Sequence, residues 1–458
     1  MCSDNLSSPS ERPPTHKQAQ AVHRSYIPSV SDATKGKTHC PSSKSMVTPR
    51  IIIHGGAGNI TRKTISKDEY DAYLASLRNI LSSAVDCLSQ PSATAVDVAT
   101  HAVSMLEDDA LYNSGKGAVF TTEGQNELEC SIMVSDGYRK RSVGCMMLRH
   151  VKNPIKLARE LLMRGEVDGG DGSQDHCQYS GPFVEGLADN WGLEIVDSSY
   201  FFTQKRWDEH KRGLKEKEVA KDSAEMSDWE KANYIPLGTC GAVVLDNSGT
   251  ICTATSTGGL TNKVPGRVGD TPTTGAGFWA EEWYEAASIP EPRMVYRPCA
   301  TTPLEHLSRG NIRSLATDCL ATFTAPSAAP EKSFVPGQLD TKPSSIRRAV
   351  GMSGTGNGDS FLKLAAARTV AANARFSQTS LSDALTWMVG PGGELQRSAG
   401  DRWRRTHEGT GGMIGIEVAK GKATVVQDYN CGGMLRAWTE EDGQHQSRIF
   451  REDGYESG

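Results

Sequence analysis

The 458-residue chain is short of several features that would assign it at once. It has no run of 18 apolar residues, which excludes a transmembrane helix. It has no basic excess. Fifty Lys and Arg stand against 55 Asp and Glu, a net charge of -5, so no nucleic-acid or membrane partner is expected. Its 11 cysteines include no CxxC pair, which argues against a structural zinc site, and their odd number and scatter read as reduced thiols of an intracellular protein. The N-terminal MCSDNLSSPSERPP lacks the apolar core of a secretion signal, so a cytoplasmic location is expected. Residues 1–48 are rich in Ser, Lys and Arg and read as a disordered tail, with an organellar transit peptide as the alternative. Only 37% of residues are hydrophobic and mean hydropathy is -0.45, so part of the chain is expected to be unpacked.

Glycine, by contrast, is abundant. The 46 glycines fall in clusters without a period, the pattern of tight turns or of backbone lying close to a ligand. RIIIHGGAG (50–58) reads as a buried strand entering a glycine turn. Helical spacing over 68–88 and 92–109 predicts two helices, the second with Ser92 as its N-cap. Residues 111–147 read as strand, turn, strand around Gly124 and Asp136-Gly137, and 153–165 as a helix. The charged stretch 205–235 reads as a disordered linker. Residues 239–257 read as a hairpin, 281–346 as a proline-rich insert, 359–375 as a helix and 411–430 as a second hairpin. Antiparallel pairs in both halves, more apolar than simple alternation, predict an α+β fold with two sheets face to face and helices outside.

Four short stretches carry the candidate chemistry. Gly238-Thr239 opens an apolar strand directly after the charged stretch. In isolation it is an ordinary loop entering a sheet. If the bond between the two residues is cut, however, Thr239 gains an α-amine of pKa about 7.7–8.0, and one residue then supplies both nucleophile and base. In GRVGD (266–270), the Arg267 fork suits a carboxylate and Asp270 suits an ammonium, which together would hold the end of an α-amino acid. TSTGG (255–259) puts Thr257 across the hairpin from Thr239. SGTGNGD (353–359) offers backbone N–H groups for developing negative charge. It is not a phosphate-binding P-loop, since no Gly-Lys-Ser/Thr follows.

The run GTCGAVVLDNSGTICTATSTGGLTNKVPGRVGDTPTTGAGFWA (238–280) resembles the plant-type L-asparaginase/isoaspartyl peptidase family of N-terminal nucleophile hydrolases. HGGAG (54–58), LEDDALYNSGKGAVFT (106–121), NPIKLAR (153–159), SGTGNGD and NCGGMLRAW (430–438) follow in the family's order. The resemblance implies a four-layer αββα sandwich. It also implies a precursor that cuts itself between Gly238 and Thr239 into an α subunit (49–238) and a β subunit (239–458), and a dimer of such αβ heterodimers. By resemblance Thr239 is the nucleophile, Thr257 its support, Arg267 and Asp270 the grip on the substrate's α-end, and Ser353 and Gly354 the oxyanion pair, with Gly356 in the same binding loop. Asn113 lies in a loop that packs near the nucleophile. Backbone carbonyls in the stretch holding Leu106, Glu107, Asp109, Tyr112, Ser114 and Lys116 would wrap a Na+ or K+ ion, while the chemistry itself needs no cofactor. The implied substrates are L-asparagine or β-aspartyl dipeptides. Ser353 departs from the family's threonine, and Glu129-Cys130 occupy a small-residue position. Aspartylglucosaminidase-like and threonine-aspartase-like hydrolysis, and an uncleaved scaffold, remain the alternative readings.

Overall fold

The computed structural model describes residues 47–167, 169–220, 238–286, 345–452 and 454–455. In chain order, β1 (Arg50–Gly58) leads into α1 (Lys67–Leu88) and α2 (Ala95–Asp108). Then come β2 (Leu128–Val134), β3 (Arg141–Leu148), α3 (Pro154–Arg164), β4 (Gln178–Ser180), α4 (Pro182–Asn190) and α5 (Gln204–Ala220). From Gly238 onward come β5 (Cys240–Leu245), β6 (Ile251–Thr257), β7 (Phe278–Ala286) and β8 (Ser345–Gly356). The helices α6 (Gly358–Leu364), α7 (Ala366–Phe376) and α8 (Leu381–Val389) follow. The last elements are β9 (Gly411–Ala419), β10 (Lys422–Tyr429), β11 (Gly433–Thr439) and β12 (His445–Arg448).

The strands form two sheets, ordered β12-β11-β1-β5-β6-β2-β3-β4 and β10-β9-β8-β7. The central strands of the larger sheet are buried on both faces, and period-two alternation sorts their side chains. Ile51 and Ile53 of β1 and Ala242 and Val244 of β5 pack into the cluster formed with the helices, alongside Leu77 and Val103. Their neighbours Ile52, Val243 and Leu245 join Ala349, Ile414 and Ile416 of the smaller sheet. α1, α2 and α3 contact the larger sheet, and α7 and α8 contact the smaller. The mixed α+β reading therefore holds. Helix α1 begins with a capping box between Ser66 and Glu69.

Several boundaries differ from expectation. Thr94, not Ser92, caps α2, accepting from the Asp97 amide at 3.1 Å, because Asp246 takes the Ala95 N–H and fixes the helix start. Residues 111–121 form no strand. They coil through a 3-10 turn at Gly115–Gly117, and the hairpin turns at Asp136-Gly137 alone. Residues 281–286 and 345–346 belong to the paired strands β7 and β8, so the insert is narrower than 281–346. The expected helix at 359–375 breaks at Ala365, whose φ is +44°.

The charged stretch is also helical over 204–220. Arg206 is buried, donating to the carbonyls of Gly117 and Leu111 and pairing with Glu209, and Trp207 meets Phe120 edge-on at 5.2 Å. Two docked side chains hold a helix whose overall composition is highly charged. Of the expected tail (1–48), linker (205–235) and insert (281–346), residues 1–46, 221–235 and 287–344 lie outside the described residues.

Arg206→Ala removes the first of these anchors, at about 2 kcal/mol or more. Amide exchange over 204–217 is expected to accelerate by roughly thirtyfold, read by hydrogen–deuterium exchange mass spectrometry. Unchanged exchange would contradict the docked helix.

Candidate active site

The site grows out of the pairing of three strands. β5 and β6 are antiparallel with Cys240 opposite Ser256, and continuing that register by one residue sets Thr239 across from Thr257. β6 and β2 place Thr257 opposite Glu129. A threonine, a threonine and a glutamate therefore stand in a row, and all three line a cavity of about 220 Å³. The Thr239 hydroxyl lies 2.9 Å from that of Thr271. Thr257 Oγ1 accepts the Gly259 amide at 3.0 Å, which curls the chain beyond β6 over the cavity.

Gly238 is confined. A Cβ there would collide with Thr355 Oγ1 and would lie 2.8 Å from the Gly356 amide nitrogen. Gly56, at φ +124°, brings the end of β1 against it, with its own Cβ position 3.1 Å from the Gly238 nitrogen. Only glycine fits at 238. Thr355 Oγ1 also accepts the Ala57 amide at 3.2 Å, which ties β8 to the β1 turn.

The Ser353-Gly354 assignment is corrected here. Neither residue lines the cavity. Ser353 Oγ lies 2.7 Å from His54 Nε2, and the Gly354 amide donates to the Gly277 carbonyl at 2.7 Å. The Thr-Gly pair beside Gly238 is instead Thr355-Gly356, two residues along β8. A two-residue shift keeps the side-chain face, so the motif gave no warning. His54 is wholly buried, and that burial lowers its pKa to about 3 against a hydrogen bond to the Thr239 backbone, which favours the charged ring. It is neutral at physiological pH.

Arg267 and Asp270 both line the cavity, as does Gly356. Arg267 Nη2 donates to Asp359 Oδ1 at 3.0 Å. Asp270 is buried, and its Oδ2 has no hydrogen-bond partner among the described residues. Burial raises its pKa to about 7, opposed by the Arg267 charge. Glu129 anchors this loop. Its carboxylate accepts the Gly269 amide at 3.1 Å and lies 3.7 Å from Lys263 Nζ, and burial raises its pKa. Asn113 ties two loops together, accepting from the Val119 amide at 3.1 Å and donating to the Gly259 carbonyl at 2.8 Å.

In the loop expected to wrap a cation, Leu106 O accepts Ser114 Oγ at 3.4 Å and Asp109 O accepts the Tyr112 amide at 3.3 Å. A Cβ on Gly115 or Gly117 would collide with the carbonyls of Glu107 or Tyr112 respectively. The Lys116 ammonium sits 5.8 Å from the Tyr200 ring centre. The Glu107 and Tyr112 carbonyls packed against these glycines are oxygen donors of the kind that suits a hard alkali cation. Among the described residues, no three His, Cys, Asp or Glu side chains gather as a metal site.

Sequence reasoning missed Thr271, Thr355, His54 and the face of α5 that supplies Glu209, Gly213, Glu216 and Lys217 to the cavity wall. Thr355 was legible as the Thr-Gly inside SGTGNGD. The other three depend on tertiary contacts.

A sequence model of a family described as asparaginase matches residues 47–289. A putative isoaspartyl peptidase/L-asparaginase of Dictyostelium discoideum is 38% identical over 256 residues, 51% of this chain and 70% of that protein. The isoaspartyl peptidase of Escherichia coli is 30% identical over 404 residues, 88% of this chain and 97% of that protein. A probable isoaspartyl peptidase/L-asparaginase of Arabidopsis thaliana is 26% identical over 415 residues, 87% and 98% of the two chains.

Asp270 generates a pH prediction. Folded, it keeps its proton up to about 7, whereas its ordinary value is 3.8. Between those values the folded state binds more protons than the unfolded, so stability falls as pH rises. Asp270→Asn has no proton to lose. Its stability relative to the native protein is expected to improve steadily from pH 4 to pH 7, by up to about 1.4 kcal/mol per unit. Urea unfolding at each pH reads this, and a pH-independent difference would contradict it.

Proposed function

The chain belongs to the asparaginase family, and we propose that it hydrolyses the β-amide of L-asparagine and of β-aspartyl dipeptides with Thr239 as nucleophile, after cutting its own Gly238–Thr239 bond. It is a hydrolase of the isoaspartyl peptidase/L-asparaginase kind. The observation that carries the reading is the single cavity shared by Thr239, Thr257, Arg267 and Asp270.

In the self-cleavage step, Thr239 Oγ attacks the Gly238 carbonyl and the peptide nitrogen leaves, giving an ester. Water then hydrolyses the ester to a Gly238 carboxylate and a free Thr239 amine. The confinement of Gly238 between Thr355 and Gly356 supports this step, since a hydroxyl and an N–H stand beside the reacting peptide. In turnover the amine takes the proton from Oγ, and Oγ attacks the side-chain carbonyl. The amine side of the substrate leaves with a proton, and water releases aspartate. Arg267 holds the α-carboxylate and ionised Asp270 the α-ammonium, which orients the β-carbonyl toward Thr239. Thr355 and Gly356 take the oxyanion role in place of Ser353 and Gly354, and Thr257 steadies the nucleophile.

The sheet-to-sheet and helix-to-sheet contacts support a four-layer αββα sandwich. The carbonyls gathered around Gly115 and Gly117 support a structural Na+ or K+ ion held by the 106–116 loop. When bound, the ion would stiffen the loop carrying Asn113 and takes no part in bond making. A dimer of αβ heterodimers completes the reading by family analogy.

The test is release of aspartate from L-asparagine and from a β-aspartyl dipeptide. Thr239→Ala is expected to abolish turnover by at least about 10⁴-fold. Thr355→Val is expected to lower kcat by about 10²–10³, while Ser353→Ala, whose hydroxyl meets His54 and not Gly238, changes kcat far less. Equal losses at 353 and 355 would restore the rejected pairing.

A further inference from the structure

Resting on the β-aspartyl hydrolase reading, we propose that α5 is the wall that recognises the leaving group, and that Lys217 receives the α-carboxylate of the amino acid released from a β-aspartyl peptide. One face of α5 is anchored. Arg206 Nε donates to the Gly117 carbonyl at 3.0 Å, and His210 Nδ1 lies 2.5 Å from Asn262 Oδ1. Asn262 Nδ2 returns a bond to the His210 carbonyl at 3.1 Å. Asn262 itself sits in the stretch just past TSTGG that lines the cavity. The helix is thus clamped to the rim of the nucleophile's cavity.

The residues that α5 gives to the cavity are 209, 213, 216 and 217, spaced as one helical face. Gly213 allows the close seating, since a Cβ there would collide with Asn262 Nδ2. Of the three charged side chains on that face, Glu209 pairs with Arg206 at 2.8 Å and Glu216 is also engaged. Lys217 forms no ion pair with any described residue. Lys217 is the one cationic side chain that the described part of this wall brings to the cavity.

Arg267 and Asp270 supply the complementary charges for the aspartyl α-end. A second cation on another wall of the same cavity suits a second carboxylate. Asparagine has none, because only an amide NH2 lies beyond its scissile carbon. A β-aspartyl dipeptide carries one on its leaving residue. Arg267 and Asp270 identify the acyl part of the substrate, and α5 reads the part that departs.

The experiment compares kcat/KM for β-aspartyl-alanine, its C-terminal amide and L-asparagine, using the self-cleaved full-length protein. Lys217→Ala is expected to lower the dipeptide-to-asparagine ratio about fivefold, the upper range for a solvent-accessible ion pair. Lys217→Glu should lower it further, and in both variants the acid and the amide should converge. Added salt should erode the native ratio in the same sense. His210→Ala, which releases the clamp, should reproduce the loss. Native hydrolysis with a ratio unmoved by Lys217→Glu, or a loss shared equally by all three substrates, would overturn the role of Lys217. Native protein that is self-cleaved yet hydrolyses none of the three would overturn the functional reading beneath it.

Discussion

A one-residue slip between β5 and β6 would carry the Thr239 hydroxyl to the opposite face of the sheet. The site depends on that register more than on any single hydrogen bond. It is fixed because both faces of β5 are buried. Ala242 and Val244 belong to the helix side and Val243 and Leu245 to the inter-sheet side, so a slip would exchange two packed cores at once. The same ladder carries Glu129 to the third position of the row, and Glu129 in turn holds the Gly269 amide and so the loop bearing Arg267 and Asp270. The proposed nucleophile and the proposed substrate grip are thus positioned by one set of strand pairings.

The second constraint is steric. β1 and β8 close on Gly238 from different sides through Gly56 and Thr355, leaving no room for a side chain. Beneath them the neutral His54 and Ser353 join the two strands inside the core. The fit leaves room for nothing larger than glycine on the carbonyl side of the bond proposed to be cut.

What could be read from the chain alone was what sits in short local motifs. Thr239, Thr257, Arg267 and Asp270 are each flanked by glycines or strand residues that mark their neighbourhood. Reading went astray where two registers shared one face, as with Ser353 and Thr355. It also failed where tertiary anchors overrode composition, as in α5, whose helix depends on Arg206, Trp207 and His210 meeting partners far away in sequence. Buried carboxylates such as Glu129 carry no sequence mark, because their burial comes from the sheet and not from their neighbours. The insert was read too wide for a related reason. Residues 281–286 pair with 345–350, across a stretch whose composition alone suggested a loop.

The account stands on the claim that Gly238–Thr239 is a bond the protein cuts for itself. Denaturing intact-mass measurement of the freshly purified protein, with N-terminal sequencing of the fragments, tests it directly. The account predicts two fragments, the second beginning Thr-Cys-Gly-Ala. A single chain that stays uncut over days, with its Gly238–Thr239 bond intact, would leave Thr239 without its amine and would contradict it.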